Sequence, residues 1–417
     1  MVHGTLRLQL FKREISGERR RTFDDFSRIV RETPSRYIFV KGDFPANSGA
    51  TPDTGGILGG RLNTPGQFIE NLEKLAEANP DNEQFRGMLV QAYLHDKQPD
   101  KALAFLDKTK ARLPGASPNL SYLFGRTYLA MKDSEKAYKY FQESLADNPD
   151  PILLNDVAWE LEEAGMHPKE ALEYSKRSVR DMAGKTLDIS PEDTEAADFQ
   201  MMPPLAATWD TLGWIYFRAQ DFHAAKPYLE AAWQLSQTPA HGEHLVEVLQ
   251  KLGEPRSAAS VCARALAAIP STSSSDLYKS LSAEWESLKN YLKLPQGGSS
   301  IQAASSQGAM WLSDMRTLNI PFHTKLQGNS RTAQFVVSLT NSSKADNVTF
   351  ISGADELRNA TADIAAAKYP QTFPDDTPAR IIRKATLSCS VYMKQCVLIL
   401  LPVGDAAVSL QTLPGDN

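Results

Sequence analysis

The sequence predicts an all-α stack of antiparallel helical hairpins, followed by a small α+β domain. Two observations predict it: small, aromatic and proline residues recur with a period of 34 to 35 between Glu83 and Pro270, and the apolar period switches from helical to alternating after a Gly/Ser/Gln/Ala-rich stretch, Gln296–Gly308. A repeat of that length signals supersecondary units that bury their apolar stripes against their neighbours.

Aligning Glu83–Pro114 with Pro118–Pro149 sets Tyr93 on Tyr128, Ala102 on Ala137, Leu106 on Phe141 and Pro114 on Pro149. Ala171 follows Ala137 by 34, and Ala259 follows Ala225 by 34. The fullest unit, Thr208–Ala232, carries Trp209, Leu212, Gly213, Tyr216, Ala225, Leu229 and Ala232. Gly125, Gly213, Ala137 and Ala225 permit close helix approach, while Tyr128, Tyr216, Phe141 and Trp209 fill the spaces between. Pro114, Pro149, Pro239 and Pro270 are expected to stop second helices, because proline lacks a donor and clashes with the preceding turn. Gln67–Pro80 reads as a second helix whose first helix is missing or degenerate.

Leu123-Phe124-Gly125 with Tyr128, Ala137, Phe141 and Pro149, and Trp209 with Leu212-Gly213 and Tyr216, resemble the tetratricopeptide repeat family. The resemblance covers a little over half of the chain and implies a right-handed superhelical solenoid over residues 62–294. Ile152–Asp181 departs from the pattern, with Trp159 where the glycine usually sits and Glu162 where the tyrosine does.

Ala225 follows Ala171 by 54 positions, about 20 more than one repeat. The excess, 185–204, reads as an acidic inserted loop, either a lid or self-plug over the groove or a solvated surface loop. Ser273–Leu294 reads as an amphipathic capping helix, with Leu277, Leu281, Trp285, Leu288 and Leu292 inward and Lys279, Glu286 and Lys289 outward.

Residues 295–310 form the expected flexible linker. In 311–417, strands are expected at Ala333–Thr340, Asn347–Ser352, Ala379–Ser390 and Gln395–Leu401, with a helix at Ala354–Lys368, giving the order β-β-α-β-β. Val348–Gly353, Leu357, Ala365, Phe373-Pro374 and Leu398–Leu400 weakly resemble the C-terminal domain of TonB-family proteins, although Cys389 and Cys396 are not part of that pattern. That resemblance implies a cell-envelope interaction domain and an oxidising compartment. From their spacing, Cys389 and Cys396 could face each other across a hairpin and form a disulfide, whereas Cys262 reads as a buried packing residue. Residues 1–61 form an N-terminal segment with short strands, Thr5–Phe11 and Ser35–Val40, a short helix at Thr22–Glu32 and a loop at Gly42–Gly60.

The net charge of −5 and pI near 5.9 give no field favouring nucleic acid or anionic membrane. The arginines between Arg19 and Arg36 are a local exception, read as a solvated face or a phosphate site. No apolar run approaches the ~20 residues that span a bilayer. The start lacks the pattern of a signal peptide, so a complete chain is expected in the cytoplasm and a fragment of a longer envelope protein in the periplasm.

The sequence leads to no expected catalytic constellation. His241 and His244 lie one turn apart with Glu243 and Glu247 nearby; they could share a metal, or be two exposed histidines on a helix. Gly55–Gly60 lacks the lysine and helix of a phosphate loop. Asp24-Asp25 and Asp375-Asp376 read as caps of helices or turns. The sequence therefore points to a non-enzymatic protein–protein interaction scaffold without cofactor or metal. The alternative is the non-catalytic C-terminal segment of a larger bacterial envelope enzyme or TonB-type transport assembly. In tetratricopeptide stacks the first helix of each pair lines the concave face, and the resemblance implies that Gln84, Gln91, Tyr122, Arg126, Asp156, Glu160, Asp210, Trp214 and Arg218 line it here. Their mixed charges and aromatics suit an extended peptide or partner helix.

Overall fold

The computed structural model describes residues 65–113, 115, 117–269, 275–293, 315–321, 330–374, 376–390 and 394–403. The expected strands, helix and loop of the first 61 residues lie outside them, as do Pro114 and Pro270. The chain divides into two compact units, residues 1–149 and 150–417.

The first unit contains α1 (Pro65–Ala78), α2 (Glu83–His95), α3 (Pro99–Arg112), α4 (Pro118–Ala130) and α5 (Ser134–Ser144). The aligned small positions do what their size allows. Ala102 and Ala137 are fully buried, with Leu106 and Phe141 beside them in the seams. A Cβ added to Gly125 would lie 2.4 Å from Phe141 Cε1, so α4 and α5 touch at a point where only hydrogen fits. Tyr140 stacks between Phe124 at 4.9 Å and Tyr128 at 5.5 Å, and the Lys110 ammonium lies 5.4 Å from the Phe124 ring.

The second unit contains α6 (Pro151–Glu163), α7 (Pro168–Leu187), α8 (Ala196–Gln200), α9 (Met202–Arg218), α10 (Phe222–Leu235), α11 (Pro239–Lys251), α12 (Pro255–Ala268) and α13 (Asp276–Tyr291). Its sheet strands are β1 (Thr317–Ile320), β2 (Ser330–Thr340), β3 (Asn347–Gly353), β4 (Arg380–Ser390) and β5 (Gln395–Leu400). A 3₁₀ turn, Asp355–Ala360, leads into α14 (Thr361–Ala366). All pairings are antiparallel, in the order β1-β5-β4-β2-β3. The expected β-β-α-β-β order gains a strand, β1, which is too short for alternation to reveal.

Every hairpin turn repeats one geometry. Gln98 donates to Tyr93 O, Asp133 to Tyr128 O, Met166 to Leu161 O, Asp221 to Tyr216 O and Glu254 to Leu249 O, at 2.8–2.9 Å. Just before each donor stands a left-handed residue: Lys97, Lys132, Gly165, Gln220 and Gly253. This is the Schellman closure that satisfies the last carbonyls of a helix. Proline acts at the other end: Pro99, Pro118, Pro151, Pro168, Pro239 and Pro255 open helices at the first turn, where the missing N–H would have no partner anyway. Pro239 thus starts α11, and α10 has already ended at Leu235.

The insertion is a solvated loop only in its middle, where 188–195 are turn and coil and mostly exposed. Residues 185–187 extend α7, 196–200 form α8, and Met202 begins α9. Ile189, Phe199 and Met202 join a core that also contains Trp209 from α9 and Phe335, Val337, Ile381, Leu387 and Leu398 from the sheet. Polar contacts follow the same route: Arg380 Nη1 donates to Ile189 O at 2.7 Å, Thr349 Oγ1 to Pro191 O at 3.2 Å, and Asn347 Nδ2 to Glu192 Oε1 at 3.0 Å. On α10, Tyr228 OH donates to Asp376 at 2.6 Å, and Phe373 meets Trp209 edge-on at 6.3 Å. Asp376 therefore serves this contact between strand segment and helix, with Thr377 Oγ1 as its other donor; Asp375 lies outside the described residues. The sheet and these helices share one apolar core.

A second core cluster joins α9 to α13 through Trp214, Leu229, Trp233, Leu245, Cys262, Leu281 and Leu288. In α13, Leu281 and Leu288 are buried as expected, but Lys289 is also buried and pairs with Glu286 at 2.7 Å. Its aliphatic stem packs while its ammonium is neutralised.

Candidate interaction face

In the first unit, Gln91 on α2 and Arg126 on α4 occupy the same repeat position, 35 residues apart, and Arg126 Nη1 donates to Gln91 Oε1. The Arg126 guanidinium lies 5.9 Å from the Tyr122 ring. Tyr122 is buried, Gln84 is exposed, and Gln91 and Arg126 are half-buried. The structure thus joins three of the four side chains and leaves Gln84 apart from them.

The second unit holds Asp156, Glu160, Asp210, Trp214 and Arg218. Asp210 is only 1% exposed, because both carboxylate oxygens face His244 Nδ1, at 3.0 and 3.1 Å. Trp214 stacks on the His244 ring at 4.2 Å, and Phe217 stacks on Trp214 at 4.8 Å. Trp159 reaches the His244 ring from α6 at 5.8 Å. Three helices therefore converge on one imidazole, which corrects the expectation of two exposed histidines. His241 is likewise buried, with Nδ1 held 2.8 Å from Ser236 O. Among the described residues no group of three or more His, Cys, Asp or Glu side chains could hold a metal.

Asp156 is buried beside Asn155, whose Nδ2 lies 3.4 Å from its carboxylate. Glu160 is half-buried and Arg218 exposed. Arg218 pairs with Glu162 at 3.3 Å, so the glutamate standing where the family has tyrosine contributes an ion pair in place of a ring. Burial pushes the Glu162 carboxyl above its usual range, against the opposing pull of Arg218. On α11, two repeats further on, burial also raises Glu247, opposed by His244 and reinforced by Glu243 and Glu284.

Sequence reasoning missed His244 and Trp159 as members of this face. A signal was present for His244: it follows Asp210 by 34, so the repeat itself sets the two side by side.

Cys389 and Cys396 are opposite each other on β4 and β5 and are disulfide-bonded. Cys262 is a buried free thiol, pushed up to about 12 by burial. No described helix is long and apolar enough to cross a membrane.

Hairpins closed by one turn geometry, with same-position side chains meeting between neighbouring repeats within each unit, define a helical repeat protein. The repeats are tetratricopeptide repeats: profiles of that repeat match residues 69–119, 118–151 and 206–239. No curated protein sequence matches the chain. Among solved structures, yeast Tom70 is similar at 14% identity and TM-score 0.42, over 55% of this chain and 44% of that one. The Cut9–Hcn1 hetero-tetramer of the APC/C matches at 18% identity and TM-score 0.40, over 56% and 42%. PilF of Pseudomonas aeruginosa matches at 18% identity and TM-score 0.35, over 57% and 99%. The chain spans less than half the length of the first two.

Proposed function

We propose that this chain is a non-enzymatic protein-interaction scaffold whose repeat array, residues 62–294, binds an extended peptide or a partner helix along its first-helix face. Residues 311–417 supply a second contact surface. The observation that carries this reading is that, within each unit, side chains of neighbouring first helices meet at equivalent repeat positions, Gln91 with Arg126 in the first unit and Asp210 with His244 in the second, which suits a ligand running across successive helices. The accessible candidates are Gln84, Gln91 and Arg126 in the first unit and Glu160 and Arg218 in the second. Charge reversal belongs at Arg126 and Arg218, because reversing the buried Asp210 would break the fold. Affinity purification with mass spectrometry is expected to lose partners on Arg126→Glu and Arg218→Glu; an unchanged partner set refutes the groove.

A second reading is favoured by the Cys389–Cys396 bond: a segment of a bacterial cell-envelope assembly, with a TonB-like C-terminal domain, working in an oxidising compartment. Thiol alkylation in intact cells tests it. Resistance of both cysteines until reductant is added supports the envelope, and free alkylation of both removes it.

A further inference from the structure

Resting on the groove reading, we propose that the face built from α6, α9 and α11 is a seat for a basic side chain, so that the partner is an extended peptide carrying arginine or lysine. Three observations converge there. Glu247 is half-buried and raised by burial, with the carboxylates Glu243 and Glu284 close enough to repel it. Among the described residues it makes no ion pair and no hydrogen bond. A half-buried carboxylate whose desolvation outweighs the pull of His244 and Lys251, and which no cation pairs directly, is a group a ligand cation would satisfy.

One turn away stands the His244 ring, already engaged by Asp210. Trp214, 8% exposed and stacked on that ring, has an enclosed indole Nε1–H without an acceptor. An unpartnered donor on the ring that stacks on His244, and a carboxylate without an ion pair one turn from that histidine, match a peptide residue, whose backbone carbonyl and cationic side chain supply both complements. Trp159 is half-buried at the same place and offers ring surface along which an arginine or lysine stem can lie. The face has little cation of its own to compete. Arg218 is committed to Glu162, and Lys251 lies near Glu247 without forming an ion pair with it. Glu160 from α6 adds further negative charge.

The test uses the full chain and three fluorescein-labelled blocked dodecapeptides of alternating serine and leucine, identical except for four positions holding arginine, neutral citrulline or glutamate. Fluorescence anisotropy at fixed physiological salt should rank arginine about tenfold tighter than citrulline, with glutamate weakest. Glu247→Gln should abolish that preference at an unreduced Tm. Glu135→Gln, the same charge change on exposed α5, should leave it intact and so separates the seat from the general field of an acidic chain. Trp214→Phe, which keeps the ring and removes the donor, should weaken arginine and citrulline peptides alike. Equal binding of all three peptides, or equal loss in Glu247→Gln and Glu135→Gln, overturns the cation seat while leaving the groove standing. Binding of none of them overturns both.

Discussion

Gly125→Ala isolates the physical basis of the repeat, because one methyl group is all it adds. Built on the observed backbone, that methyl would sit 2.4, 2.5 and 3.1 Å from Cε1, Cδ1 and Cζ of Phe141, a fully buried ring. Contacts below 3 Å cannot persist, so α4 and α5 must separate or Phe141 must leave its rotamer. Such overpacking costs about 1–3 kcal/mol. Alanine regains about 1 kcal/mol of helix propensity over glycine. The expected net loss is therefore up to about 2 kcal/mol. Urea unfolding followed by circular dichroism reads it as a lower midpoint. Phe141→Leu, which removes the obstructing ring edge, should make Gly125→Ala far less harmful, with a coupling energy of about 1 kcal/mol or more between the two changes. If Gly125→Ala stabilises the protein by its propensity gain, or the changes simply add, the close approach of these helices is not what fixes the glycine.

Asp376→Ala removes the acceptor of the Tyr228 hydroxyl and should cost about 1–3 kcal/mol, with faster hydrogen exchange in β4 as the local readout. Arg383 is fully buried, donates to Leu401 O at 2.9 Å and is pulled down to about 9 by burial and then by Arg316; Arg383→Met should leave Tm unchanged or raise it, since an apolar group of similar size replaces a buried charge. Reducing the Cys389–Cys396 bond opens a short loop, and on chain-entropy grounds dithiothreitol should lower stability by about 2–3 kcal/mol. Glu162, Glu230 and Glu247 are all raised by burial above the ordinary value of 4.5. Their ionised forms therefore oppose folding at neutral pH, and the opposition is relieved as pH falls through the folded values toward 4.5. Differential scanning fluorimetry should show a higher Tm at about pH 5.5 than at about pH 7.5, with the gain reduced in Glu247→Gln.

The sequence by itself determined the hairpins. Local geometry repeats with the chain, so Ala102, Ala137, Ala225 and Gly213 announce each close contact at a fixed interval, and strand alternation in 333–340, 347–352 and 379–390 marks the sheet to within a few residues. Helical spacing also set Asp210 and Trp214 on one side of their helix, and His244 was recoverable as their neighbour by adding one period to Asp210. Tertiary structure alone decided which of these side chains stay accessible, because whether Asp210 meets solvent or His244 depends on how a neighbouring helix is set against it. The 185–204 segment reads as acidic and polar, yet Ile189, Phe199 and Met202 bury themselves against a sheet well over a hundred residues further on. The bond from Tyr228 to Asp376 spans 148 positions. Contacts at such separations leave no periodic trace, since no local rule of backbone geometry links the two residues; only the folded core brings them together.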